Sequence, residues 1–258
     1  MSVHDLDSQQ FLAEAGKAFL RDGWLHAEEI LGKEISLQCF NYLSRKLYTE
    51  INSLLESFVN RCLKENRRVD CQEGCSWCCR QTVLILPYEA FYMMVYMEEN
   101  LEPALLKKIQ NKIRDKNRIT SRMKVQEFLH FKSPCPMLHE DSCIIYPARP
   151  MACRIYLSSD IESCRYEYHH PSETDYFPGL YEFPLLAGRM MNEGVCAWLR
   201  EHRIYPFETL MESALNTVRE QDDCFSRWVS GENIFQVREY DSGEIDYLRK
   251  FNNVSRVS

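Results

Sequence analysis

Between Cys71 and Cys79 the chain reads CQEGCSWCC, four thiols in nine residues with the last two adjacent. Thiols at this density can form disulfides, a redox pair, a metal site or an iron–sulfur cluster. Four more, Cys135, Cys143, Cys153 and Cys164, fall in a second stretch whose connecting residues are turn formers: Pro136, Asp141, Ser142, Pro147 and Pro150. Short loops such as the C-x-x-x-C of Cys71 and Cys75 and the C-x-x-C of Cys75 and Cys78 turn two sulfurs toward one centre. Eight thiolates suit two four-ligand sites, or one cluster and one ion. The other four cysteines, Cys39, Cys62, Cys196 and Cys224, stand alone in helical patterns and read as small buried apolar side chains.

The adjacent pair Cys78–Cys79 adds a constraint. In extended backbone, neighbouring side chains point to opposite sides, so one of the two is expected to reach a second centre or another iron of a polynuclear cluster. Zinc and iron–sulfur clusters both accept four cysteine thiolates. Zinc favours isolated tetrahedra, whereas four crowded cysteines around a bulky Trp77 look more like wrapping around something larger. An iron–sulfur cluster is therefore expected ahead of zinc. Cys71, Cys75 and Cys78 also match the spacing of a radical S-adenosylmethionine motif. Helical patterns precede the motif here, however, and no βα alternation follows it, which disfavours that fold. The missing βαβ context likewise disfavours a thioredoxin-like reading of Cys75–Cys78.

Arg80, Arg154 and Arg165 each follow a cysteine, and Arg149 lies close by. Guanidinium groups can neutralise a thiolate site through N–H···S contacts, or can simply be surface groups; both readings stay open. His169 and His170 are expected in an exposed turn before Pro171 rather than as ligands, and His139 carries the same two readings. Tyr146, Tyr156, Tyr166 and Tyr168 are expected to pack over the centre and limit solvent access. No G-x-S-x-G, Walker loop, Rossmann glycine fingerprint or H-E-x-x-H occurs, and with nine glycines phosphate-cradling loops are not expected.

The elements that must position these thiols read as helices. SQQFLAEAGKAFLRDGWLHAEEIL has a serine, Ser8, placed to cap, followed by apolar residues at helical spacing. In SLQCFNYLSRKLYTEINSLLESFVNRCLKE, Leu37, Phe40, Leu43, Leu47, Ile51, Leu54, Leu55 and Phe58 fall near one face, suited to packing on the first helix. QTVLIL reads as a short strand, and Pro87 suits the first turn of a helix. A third amphipathic run spans residues 102–130, with a basic stretch read as a solvated face. From Ser133 to about Pro178 the Pro, Cys, Ser and Asp content argues against regular helix. Helical patterns return in LLAGRMMNEGVCAWLREHRI and FETLMESALNTVREQDDCFSRWVS, and the tail NNVSRVS is expected to fray.

The chain has 258 residues and a formal net charge of −7. That length buries a core without needing disulfides, and the charge argues against non-specific binding to nucleic acid or anionic membranes. The first residues show no secretory signal, and FYMMVYM is too short to span a membrane. A cytoplasmic location is expected, where clustered thiols stay reduced. The organisation expected is mainly α, a helical scaffold around an irregular cysteine-rich centre with a few short strands. Residues 1–70 form an N-terminal helical segment, 71–165 the metal-binding region and 166–258 a C-terminal helical segment, together one compact unit.

CQEGCSWCC followed by CPMLHEDSCIIYPARPMACRIY resembles the YkgJ-like cysteine-cluster family, known by its CxxCxxCC signature and described as zinc- or iron-chelating. The shared features are Cys78–Cys79, Cys135–Pro136, Leu138, Cys143 to Tyr146, Arg149–Pro150 and Cys153–Arg154. The first interval here is C-x-x-x-C where the family has C-x-x-C. The resemblance implies metal chelation, commonly as an iron–sulfur cluster. Flagellin lysine methylase shares a knot ending in CC and is associated with an iron–sulfur cluster and S-adenosylmethionine, but its second cysteine stretch differs, so methyl transfer is a distant analogy. Three classes of function are thus expected. One is a metal- or iron–sulfur-binding protein in redox, metal handling or protein maturation, acting with a protein partner. The second is a cluster-dependent modifying enzyme. The third is a structural zinc module for protein binding.

Overall fold

The computed structural model describes residues 3–72, 74–173 and 176–235. Two long helices come first, α1 (Val3–Leu31) and α2 (Leu37–Lys64). α1 already begins at Val3, so Ser8 lies inside it and is not its cap. Ser36 caps α2, its hydroxyl accepting the Cys39 N–H at 3.3 Å. The apolar stripe read from the sequence buries Phe40, Leu43, Leu47, Ile51 and Leu55.

After the cysteine knot come β1 (Leu84–Ile85), α3 (Pro87–Asn100), α4 (Pro103–Thr120) and α5 (Val125–Leu129). Pro87 opens α3 as expected. The run over 102–130 is two helices: α4 ends at Thr120, whose hydroxyl donates back to the Lys116 carbonyl at 3.2 Å, with Ser121 as the residue that closes it. In α4, Lys107, Lys108, Lys112 and Arg114 are exposed, but Lys116 is buried. The second cysteine stretch holds β2 (Leu138–His139), β3 (Ser142–Cys143), α6 (Met151–Arg154) and α7 (Ile161–His169). Regular helix was not expected there. α7 forms because Asp160 caps it, accepting the Glu162 N–H at 3.0 Å. The chain continues through α8 (Glu182–Glu201), β4 (Thr209–Leu210), α9 (Met211–Glu220) and α10 (Cys224–Val229). The expected tail NNVSRVS lies outside the described residues. The fold is mainly α, as the sequence indicates. Its strands are two-residue pairs, β1 antiparallel to β4 and β2 to β3.

One apolar core runs from Ala27 to Phe235 and joins most of these helices. Its aromatic centre sets Phe40 against Trp228 at 5.0 Å between ring centroids and Phe91 against Phe225 at 5.3 Å. α1 lies along α8 at a crossing closed by two glycines. A Cβ at Gly23 would sit 2.0 Å from the Met191 carbonyl oxygen, and one at Gly194 2.0 Å from that of Leu20. The Trp198 indole N–H then donates to Glu28 at 2.7 Å across the same pair. Gly194→Ala should force the helices apart and cost about 1–3 kcal/mol, read as a lower denaturant midpoint. An unchanged midpoint would contradict this packing. Among the described residues no helix is long and apolar enough to cross a membrane.

Candidate metal centre

The knot begins where α2 hands over to loop. The Asp70 N–H donates to the Ser158 carbonyl at 3.0 Å, and the Asp70 carboxylate accepts the Ile161 N–H at 2.9 Å. Cys71 Sγ accepts the Ser158 N–H at 3.1 Å. The start of the knot is thereby pinned to the loop that leads into α7, the helix bearing Cys164. Gly74 takes φ +84° within the C-x-x-x-C turn, a conformation that favours glycine. Cys78–Arg80 then form a 3-10 turn.

Beyond this turn the two cysteine stretches pair. The Cys135 N–H donates to the Cys79 carbonyl at 2.7 Å, and the Ser133 N–H to the Arg80 carbonyl at 2.9 Å. The hairpin of β2 and β3 turns through Glu140 and Asp141, both at positive φ. Its tip is tied to the knot, with Asp141 accepting the Ser76 hydroxyl at 2.7 Å and lying 3.5 Å from Arg80.

The eight sulfurs fall into two neighbourhoods. Cys71 lies in electrostatic reach of Cys75 and Cys164, and Cys78 bridges the two neighbourhoods, in reach of Cys79 and Cys153 first and of Cys71 after them. Cys79, Cys135, Cys143 and Cys153 act on one another in the second. The thiols of Cys78 and Cys79 share a hydrogen bond where the two neighbourhoods meet. That bond, with burial, keeps Cys78 protonated, and it brings Cys79 down to about 7, helped by Arg80 and Arg149. Burial pushes Cys135 up to about 12 and raises Cys71, Cys143, Cys153 and Cys164.

All twelve cysteines are free thiols. Among the described residues no three His, Cys, Asp or Glu side chains stand in a ready-made metal-holding arrangement. The donor set nevertheless fits a soft metal. Backbone N–H groups of Ser158, Met137 and Ile145 point at the sulfurs of Cys71, Cys135 and Cys143. Such donors favour thiolate over thiol, and a bound ion supplies the free energy that draws its ligands in. Because most of these thiols are protonated when free, metal uptake should release protons. Zinc affinity should therefore fall steeply from about pH 8 to pH 6. A flat profile in a competition titration would exclude thiolate ligation.

The residues around the sulfurs divide. Arg154 is buried and does not act as an N–H···S donor in any bond seen here. Its guanidinium donates to the carbonyls of Pro147 (2.5 Å) and Arg149 (2.8 Å) and to Asn52 Oδ1 (3.0 Å), over the Tyr48 ring at 3.9 Å. Arg149 lies over Tyr146 at 3.5 Å, and Arg165 pairs with Glu162 at 3.2 Å. Tyr156 and Tyr168 sit by the knot, Tyr156 accepting Gln81 Nε2 at 3.1 Å and Tyr168 meeting Trp77 at 5.3 Å. Tyr146 and Tyr166 are exposed and do not cover the centre. His169 and His170 are exposed at the C-terminal end of α7, a helix end rather than the expected turn; His170 stacks on Tyr166 at 3.9 Å. His139 is exposed in β2. Cys62, Cys196 and Cys224 are buried, and Cys39 is half-buried.

Two residues escape the sequence reading. Glu89 is buried where α2, α3 and α6 meet. It accepts the Tyr48 hydroxyl at 2.9 Å and the N–H groups of Met151 at 2.7 Å and Leu86 at 3.0 Å. A glutamate three residues into a helix hints at capping, but nothing in the sequence shows its burial. Lys116 hides in a stretch of exposed cations.

Residues 70–176 match the family described as "CxxCxxCC: Putative zinc- or iron-chelating domain". The match takes in all eight clustered cysteines and supports a metal-binding role for this region. It covers less than half of the chain. Comparison with curated proteins and with solved structures gives no match.

Proposed function

We propose that this chain is a metal-binding protein with two four-thiolate groups, Cys71, Cys75, Cys78 and Cys164 in the first and Cys79, Cys135, Cys143 and Cys153 in the second. The observation that carries this reading is the meeting of reduced sulfurs from two distant segments, supplied with backbone N–H donors. The crowding around Trp77 favours an iron–sulfur centre over isolated zinc. Such a protein would serve redox chemistry, metal handling or maturation of a protein partner in a reducing compartment such as the cytoplasm.

Elemental analysis and an absorption spectrum of protein purified without oxygen test it. Iron with acid-labile sulfide and a brown colour supports the cluster. A colourless protein with stoichiometric zinc keeps metal binding but transfers the reading to a structural zinc module. Metal-free protein, with the eight cysteines joined in disulfides, overturns it.

A further inference from the structure

The fixed charges around the two thiol groups differ in how far they are compensated. Cys135 faces Lys116, Cys79 faces Arg80 and Arg149, Cys143 faces Arg149 and Arg154, and Cys153 faces Arg149. Every sulfur of the second group therefore has a cation among its strongest charged neighbours. In the first group, Cys71 has Asp70 and Cys164 has Glu167 within weaker electrostatic reach, and Cys78 acts chiefly with Cys79 and Cys153. Arg80 is partly neutralised by Asp141, Asp70 by Arg68, and Glu167 by Lys132.

Lys116 and Arg149 are different. Among the described residues neither has a carboxylate within ion-pair distance. Lys116 is 7% exposed, and its ammonium donates to the Ser133 carbonyl at 3.3 Å, two residues from Cys135 and on the seam that joins the two cysteine stretches. A buried ammonium with one carbonyl acceptor is costly unless an anion stands nearby. A metal held by four thiolates supplies such a negative charge.

We propose that the two thiol groups are unequal metal positions. The second, flanked by the unpaired cations Lys116 and Arg149, keeps its metal as a resident ion; the first, whose neighbouring carboxylates Asp70 and Glu167 are already ion-paired and which among the described residues has no such cation beside it, is the position at which metal exchanges. This rests on the two-group reading above.

The test titrates the full chain, metal-free and reduced under oxygen-free conditions, with cobalt(II), following the thiolate-to-cobalt absorption. Two equivalents should bind in order. Cys143→Ser should remove the tight phase and Cys164→Ser the weak one. Lys116→Met should weaken the tight phase at least about tenfold, as loss of one charge near an anionic centre implies, while the weak phase stays and Lys116→Arg restores the tight one. Circular dichroism checks that each variant is folded, and Arg149→Met carries the same expectation if Lys116→Met does not fold. A tight phase indifferent to both substitutions, two phases of equal affinity, or loss of the tight phase in Cys164→Ser overturns the inequality alone. Absence of thiolate-bound cobalt in the unaltered chain overturns the two-group reading with it.

Discussion

Glu89→Ala should lower stability by about 3–5 kcal/mol, the cost of breaking a buried charged network by removing one partner. The fold's whole margin is on the order of 5–15 kcal/mol, so this single change removes a large part of it. Alanine would leave the Tyr48 hydroxyl and the N–H groups of Leu86 and Met151 without an acceptor inside the core. It would also take a negative charge from beside Arg154. Burial raises the Glu89 carboxyl above the ordinary carboxylate range, against the pull of those three donors and Arg154. Glu89→Gln keeps the shape and one acceptor, so its cost should be smaller, about 1–3 kcal/mol. Denaturant midpoints of the two variants check the order. A Glu89→Ala midpoint near that of the unaltered chain would remove the hub from the account. Glu89 also holds the first turn of α6, where Cys153 sits two residues beyond Met151, so weaker metal retention in the second group should accompany the loss of stability.

Cys78→Ser and Cys79→Ser, one residue apart, should each lose metal from a different group. Serine oxygen is a poor donor to a soft metal. The loss of affinity should exceed the roughly 10–100-fold that removal of a supporting hydrogen bond costs. Metal-to-protein ratios measured beside circular dichroism should show about half the metal gone in each folded variant, from the first group for Cys78 and from the second for Cys79. Cys224→Ser is the control: its thiol lies in the apolar core, and metal content should not change. Full metal in both single variants would end the ligand assignment. Complete loss in one with none in the other would end the division between them.

The helical scaffold is legible where one physical signal dominates. Phe40, Leu43, Leu47 and Ile51 recur at helical spacing with Ser36 in front, and α2 follows. Pro87 marks the start of α3 for a comparable reason. α7 is hidden because Pro, Ser and Asp nearby outweigh, in composition, the single cap at Asp160 that starts it. Lys116 reads as one more solvated cation, since only packing of α4 on the seam buries it. Arg154 looks like a partner for sulfur, while the carbonyls it holds come from residues that approach only in the folded chain.

The local backbone at Cys78 and Cys79 differs from the extended one expected from the sequence. The backbone there is a 3-10 turn and not an extended strand. In that turn the two thiols come close enough to share a hydrogen bond.

Adjacency in the chain also sets a ceiling on distance. Consecutive Cα atoms are about 3.8 Å apart. With two cysteine side chains and two metal–sulfur bonds of about 2.3 Å, a pair of ions bound through Cys78 and Cys79 would be less than about 14 Å apart. Over such a span two negatively charged centres repel by about 1–2 kcal/mol per unit charge pair at an intermediate dielectric. Occupying the first-filled centre would thus make the other harder to fill and easier to empty, and any electron accepted by one would be felt at once by its neighbour.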